Sequence, residues 1–142
     1  MNESKDFELK PHHLGISVAD IDASIAWYGE MLGFTLLRRH TLEAIPAEIA
    51  FLQHGDFCIE LFEVPGAAPL PEDRRFPNRD LLTHGTKHIA LAVKNTRETL
   101  DFLKQRDVDI AMDITMVEQT AIAFIRDPTG NLIELFEQPD LF

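Results

Sequence analysis

Ile59-Glu60-Leu61-Phe62-Glu63 recurs letter for letter as Ile133-Glu134-Leu135-Phe136-Glu137. Each copy closes a segment that opens on a His-led apolar stretch. The first opening is His13-Leu14-Gly15-Ile16-Ser17-Val18, the second His88-Ile89-Ala90-Leu91-Ala92-Val93. The interval from histidine to glutamate differs by one residue between the copies. A unit written twice over this length points to one supersecondary element used twice around a shared core.

Working outward from the quoted stretch, Ile59 and Leu61 alternate against Cys58, Glu60 and Phe62, the period of a strand with one buried face. In the opening strand Leu14, Ile16 and Val18 face one way, and His13, Gly15 and Ser17 the other. Asp20 suits the N-cap of a helix to about Leu32, with Ile21, Ile25, Tyr28 and Leu32 on one stripe and Gly33 as its left-handed stop. Strands are expected over 34–40, 46–53 and 57–64, with His54-Gly55-Asp56 as a hairpin turn. The second half repeats the order: a strand over 88–93, a helix capped by Asn95 to about Arg106, and strands over 109–117, 120–126 and 131–137. Asp127-Pro128-Thr129-Gly130 is a tight turn. The chain thus divides into an arm (1–10), a βαβββ module (11–64), a Pro-rich linker (65–85) with a helical turn near Asn78–Thr83, and a second βαβββ module (86–142). A connection as long as this linker is unusual in a small domain and often functional.

The 142 residues suffice for one domain or two half-domains sharing a core, and 45% hydrophobic content is ordinary for a globular chain. A formal net charge of −11 argues against nucleic acid and anionic membranes as partners. No apolar run approaches the roughly 20 residues of a membrane span. The polar N-terminal residues do not read as a signal peptide. One cysteine, Cys58, excludes an intrachain disulfide. These features together suit a cytoplasmic protein.

In both modules the Ile/Leu face must meet the helix, leaving His13 and Glu60, and His88 and Glu134, on the opposite, open face. Two such half-sheets related by a pseudo-twofold axis can bring all four side chains to one cleft. Two imidazoles and two carboxylates suit a divalent ion such as Zn, Ni, Co, Mn or Fe.

His13–Asp20, Trp27–Phe34, Gly85–His88 and Asp127–Glu134 together resemble the vicinal oxygen chelate superfamily. It comprises glyoxalases, bleomycin resistance proteins and dioxygenases, and the nearest likeness is to glyoxalase I-like and methylmalonyl-CoA epimerase-like members. The resemblance implies an α+β fold of two βαβββ modules forming an open, U-shaped mixed or antiparallel barrel. It also implies metal ligands at His13, Glu60, His88 and Glu134, and often a homodimer whose modules pair within one chain or across two. Four donors on an octahedral ion leave two positions for a substrate with adjacent oxygen donors. This count favours a metal-dependent isomerase or lyase that transfers a proton beside a chelated carbonyl, with Glu60 and Glu134 as catalytic base and acid. A non-haem Fe(II) extradiol dioxygenase and a metal-free drug-binding protein are the alternatives. In glyoxalase I, an Arg four residues after the first ligand His and an Asn four after the first ligand Glu help bind glutathione; Ser17 and Val64 stand here.

The remaining polar residues receive plainer readings. Glu63 and Glu137 are expected as solvated edge charges, and His12 as a structural residue pointing away from His13. His40 and His54 are expected to face solvent, and His84 is a candidate for the cleft mouth. Arg74, Arg75 and Arg79 are weighed as holders of an acidic substrate against a solvated or salt-bridged linker. Trp27 and Tyr28 read as core or interface, and Cys58 shares the face of Glu60.

Overall fold

Alternation at His13 and a capped helix after it build the first half of the molecule. It runs β1 (His13–Ser17), α1 (Ile21–Leu32), β2 (Thr35–Leu42), β3 (Ala47–His54) and β4 (Phe57–Glu63). A computed structural model describes residues 7–142; the part of the expected arm at 1–6 lies outside the described residues, and 7–10 are exposed without regular structure. The linker carries a 3-10 turn (Glu72–Arg75) and the short α2 (Pro77–Asp80). The second half is β5 (Ile89–Val93), α3 (Thr96–Lys104), β6 (Asp109–Val117), β7 (Thr120–Arg126) and β8 (Leu132–Glu137). His88 sits one residue before β5 rather than inside it. The second helix ends at Lys104, ahead of the expected Arg106, and the chain turns through Asp107 at φ 58°.

Each half is a four-stranded mixed sheet, ordered β1-β4-β3-β2 and β5-β8-β7-β6. β1 pairs parallel with β4 and β5 with β8, and the other pairs are antiparallel. The expected α+β duplication is present. The two sheets remain separate within the chain and do not close into a barrel. Ile59, Leu61, Ile133 and Leu135, the apolar members of the repeated pentapeptide, are all buried against the helices in one core fed by both halves. Burial of each such side chain contributes roughly 1.5–3 kcal/mol.

The helix starts explain the last letter of the repeat. Asp20 accepts from the N–H of Ala23 and Asn95 from that of Glu98, as N-caps should. Glu63 accepts from the N–H of Ile21 at 2.9 Å and Glu137 from that of Thr96 at 2.9 Å. The expectation of solvated edge charge is therefore wrong for both. The strand ends beside a helix whose first N–H groups lack partners, and the carboxylate satisfies one while facing the positive end of the helix dipole. Gly33 closes α1 at φ 77°, a conformation that glycine adopts without strain.

The halves are joined at the turn Asp127-Pro128-Thr129-Gly130. Asp127 Oδ1 accepts the N–H groups of Thr129, Gly130 and Asn131, and Oδ2 accepts from Asn131 Nδ2 and from Tyr28 Oη at 2.9 Å. Tyr28 comes from α1, so this buried bond crosses from the first half to the second. Burial first, and the neighbouring Asp127 carboxylate second, hold the Tyr28 phenol well above its ordinary range. Thr129 and Asn131 also contact Ala19 and Ser17 of the β1–α1 turn. Among the described residues no helix is long and apolar enough to cross a membrane.

Candidate metal centre

Register places the four expected donors. On the first sheet Gly15 pairs with Glu60, and His13 lies two residues earlier on the same face of β1. On the second, Ala90 pairs with Glu134, and His88 again lies two residues earlier. The same diagonal step brings His13 Nε2 to 3.3 Å from Glu60 Oε1 and His88 Nε2 to 3.5 Å from Glu134 Oε2. All four are partly open: His13 is 33% and His88 25% exposed, while Glu60 and Glu134 are 17% and 16% exposed.

Each pair has a third member that the sequence reading did not single out. Phe51 pairs with Glu60 in register, and its ring lies 5.1 Å edge-to-face from that of His13. Phe124 pairs with Glu134 and lies 4.9 Å from His88 in the same arrangement. Both phenylalanines are nearly buried, at 7% and 5%. They wall one side of each imidazole and limit its rotation. Their signal was a shared strand position relative to the repeated glutamates, visible only once β3 is aligned on β4 and β7 on β8.

His12 corrects another expectation. It does not turn away from His13: the two Nδ1 atoms lie 2.7 Å apart. β1 begins at His13, so the strand alternation that would send His12 to the other face does not extend to it. Only one of two facing Nδ1 atoms can carry the proton of a neutral pair. A His13 that offers its Nε2 lone pair to an ion beside Glu60 would then donate from Nδ1 to His12, which fixes the tautomer.

Two pairs are present, but they stand apart. Among the described residues, no group of three or more His, Cys, Asp or Glu side chains is placed to hold one ion. A cleft of about 940 Å³ runs between β1, the linker from Val64 to Pro71 and the start of the second half. His88 is among its walls, while His13, Glu60 and Glu134 are not. Cys58 is half-buried opposite His13 in register. His40, His54 and His84 are exposed, and His84 does not line that cleft. The linker arginines are engaged within the chain: Arg74 with Asp80 at 3.0 Å, Arg79 with Asp73, and Arg75 with the Thr129 carbonyl at 3.4 Å. Tyr28 is fully buried core, and Trp27 is half-buried.

The donor set suits a divalent ion. Ligand atoms about 2.1 Å from a common ion lie about 3.0 Å apart at right angles and about 3.4 Å apart at the tetrahedral angle. The first histidine–carboxylate separation, 3.3 Å, lies within that range, and the second, 3.5 Å, just beyond it. Each pair alone supplies two donors at a spacing compatible with a common ion.

The family model for the Glyoxalase/Bleomycin resistance protein/Dioxygenase superfamily matches residues 10–135. A probable lactoylglutathione lyase of Vibrio parahaemolyticus is 32% identical over 128 residues, covering 88% of both chains. A lactoylglutathione lyase of Escherichia coli O157:H7 is 31% identical, covering 90% of this chain and 92% of its own. Among solved structures, the trypanothione-dependent glyoxalase I of Leishmania major superposes with a TM-score of 0.73 at 26% identity, covering 94% of this chain and 90% of that one.

Proposed function

The chain belongs to the Glyoxalase/Bleomycin resistance protein/Dioxygenase superfamily, and from that premise we propose that it is a divalent-metal-dependent lyase or isomerase of the glyoxalase I type. The observation that carries this reading is the repeated His–Glu–Phe constellation, with histidine–carboxylate separations of 3.3 and 3.5 Å at matching register positions. Relatives named for lactoylglutathione lyase activity support the class of reaction.

His13, Glu60, His88 and Glu134 would hold the ion, which when bound supplies a Lewis acid for oxygen beside the carbon that loses its proton. The protein's own work is proton transfer and positioning. One carboxylate oxygen of Glu60 or Glu134 takes the proton from that carbon, and the partner carboxylate returns it to the neighbouring carbon. Phe51 and Phe124 hold the imidazoles in place and keep water from that side.

Because each chain presents two separated half-sites, the reading includes a homodimer in which His13 and Glu60 of one copy face His88 and Glu134 of the second. Exposed apolar residues on the outer strands, Leu36 and Leu37 on β2 and Met116 and Val117 on β6, give such a partner surface to cover. A twofold dimer would carry two such mixed sites.

The test uses Glu60→Gln and Glu134→Gln, each expected to fold and to be inactive on the hemithioacetal of methylglyoxal and glutathione after loading with Ni or Zn. When the two variants are co-refolded, half the dimers are mixed and each mixed dimer has one intact site. Activity should then return to about a quarter of the wild-type level. No recovery would exclude the shared site, and full activity of either variant alone would remove the reaction.

A further inference from the structure

Among the described residues, Arg38 on the open face of the first half has no polar partner. β2 carries a bulge: Leu36 pairs with Leu52, and the next pair is Arg38 with Phe51. A regular ladder would have set Leu37 opposite Phe51 and turned Arg38 towards the helix side. The extra residue re-aims the strand, as bulges beside functional sites do. Arg39 consequently reaches Asp22 of α1 and Glu48, while Arg38 shares the face of Phe51 and Glu60.

The guanidinium of Arg38 stands over the Phe51 ring, 4.5 Å from its centroid. That ring also borders His13. Arg38 is exposed, and among the described residues it has no hydrogen bond or ion pair, unlike the engaged linker arginines. A cation held by an aromatic face keeps its fork of N–H donors available. Strands lie about 4.8 Å apart, so the Arg38 backbone is about 10 Å from that of Glu60, two strands away.

The second half makes the contrast. Its first register shift falls at the matching place, so that Met112 pairs with Phe124, and a second follows between Met112 and Thr115. Around it Ile122, Phe124 and Leu132 form a separate apolar cluster with Ala111 and Phe136. One outer strand therefore offers a cation and the other offers thioether and hydrocarbon.

We propose that Arg38 is the specificity-determining residue of this site, taking a carboxylate of the substrate while the Met112–Phe124 face takes its apolar end. A carboxylate meets the guanidinium fork through two parallel hydrogen bonds, a geometry that a lysine cannot reproduce. The inference rests on the proposed lyase or isomerase reading for its chemistry, but its recognition step can be measured without turnover.

The test compares acid and ester probes. With hemithioacetals of methylglyoxal, the wild-type protein should favour glutathione over glutathione diethyl ester by about 10- to 100-fold in kcat/KM. In Arg38→Ala that ratio should collapse towards one, with the change in KM exceeding that in kcat, and Arg38→Lys should restore part of it. In parallel, calorimetry on metal-free protein measures S-hexylglutathione and its diethyl ester. Loss of the acid-over-ester preference in Arg38→Ala upholds the anchor even if no hemithioacetal is turned over, an outcome that would remove only the reaction class. An undiminished preference in Arg38→Ala, or equal binding of acid and ester by the wild type, overturns it.

Discussion

Removing one oxygen from Tyr28 tests how the two halves are held together. Tyr28 is fully buried, and its hydroxyl donates to Asp127 Oδ2 at 2.9 Å across the junction between the halves. Hydrogen bonds to a charged acceptor contribute roughly 1.5–3 kcal/mol net. In Tyr28→Phe the carboxylate keeps Asn131 Nδ2 on Oδ2 and three backbone N–H groups on Oδ1, so the loss should fall near the lower part of that range. About 2 kcal/mol is expected, which corresponds to about 6 °C in melting temperature for a chain of this size. The urea midpoint should fall by about 1 M. Protein concentration is held constant, because a dimer makes stability depend on it. A double-mutant cycle with Asp127→Asn should give a coupling of about 1–2 kcal/mol. The pH dependence supplies a sign as well as a size. The phenol's pKa is raised in the folded state by burial and by Asp127, so above about pH 10 the folded state retains a proton that the unfolded state loses. This stability is complete below that pH and declines as pH rises towards the folded pKa. The gap between wild type and Tyr28→Phe should therefore narrow above about pH 10. A loss below about 0.5 kcal/mol, or a gap that stays constant into the alkaline range, would refute the role assigned to this bond.

Two further outcomes follow from the repeated geometry. Glu63→Ala and Glu137→Ala should each cost about 1 kcal/mol by leaving a helix N–H without its carboxylate, and the double variant should cost close to their sum; urea unfolding measures this, and two neutral substitutions would restore the solvated-charge reading. His12→Phe should weaken Zn or Ni binding by about 10- to 100-fold in competition with a chromophoric chelator, because His13 loses the partner of its Nδ1; unchanged affinity would show that the 2.7 Å contact has no part in presenting Nε2.

The fold was legible because its signals are local. Strand alternation, the caps at Asp20 and Asn95, and the stop at Gly33 are each contained in a few consecutive residues, and duplication allowed each half to check the other. The pairing of His13 with Glu60 was within reach for the same reason: both lie on the polar face of their strands, at matched positions in a repeat. What was out of reach depended on register between strands. Phe51 joins His13 and Glu60 only through the alignment of β3 on β4, and nothing in its own neighbours marks it. Glu63 looked like a solvated strand end because the N–H of Ile21 that it accepts lies far away in the sequence. The separation of the two donor pairs was likewise undecidable from spacing, since the linker permits pairing within a chain or between chains.

Bulges explain how the two halves can differ without losing what they share. His13 opens β1 and Glu60 lies on β4, while His88 just precedes β5 and Glu134 lies on β8; the β1–β4 and β5–β8 ladders run without interruption. The irregular strands are β2 and β6, at the opposite edge of each sheet, where a register shift has no further strand to disturb. A residue such as Arg38 or Met112 can therefore change while the donors keep their diagonal step. Under the proposed reading, the β1–β4 and β5–β8 pairs hold the donors, and the bulged strands at the opposite edge are where the choice of substrate can diverge.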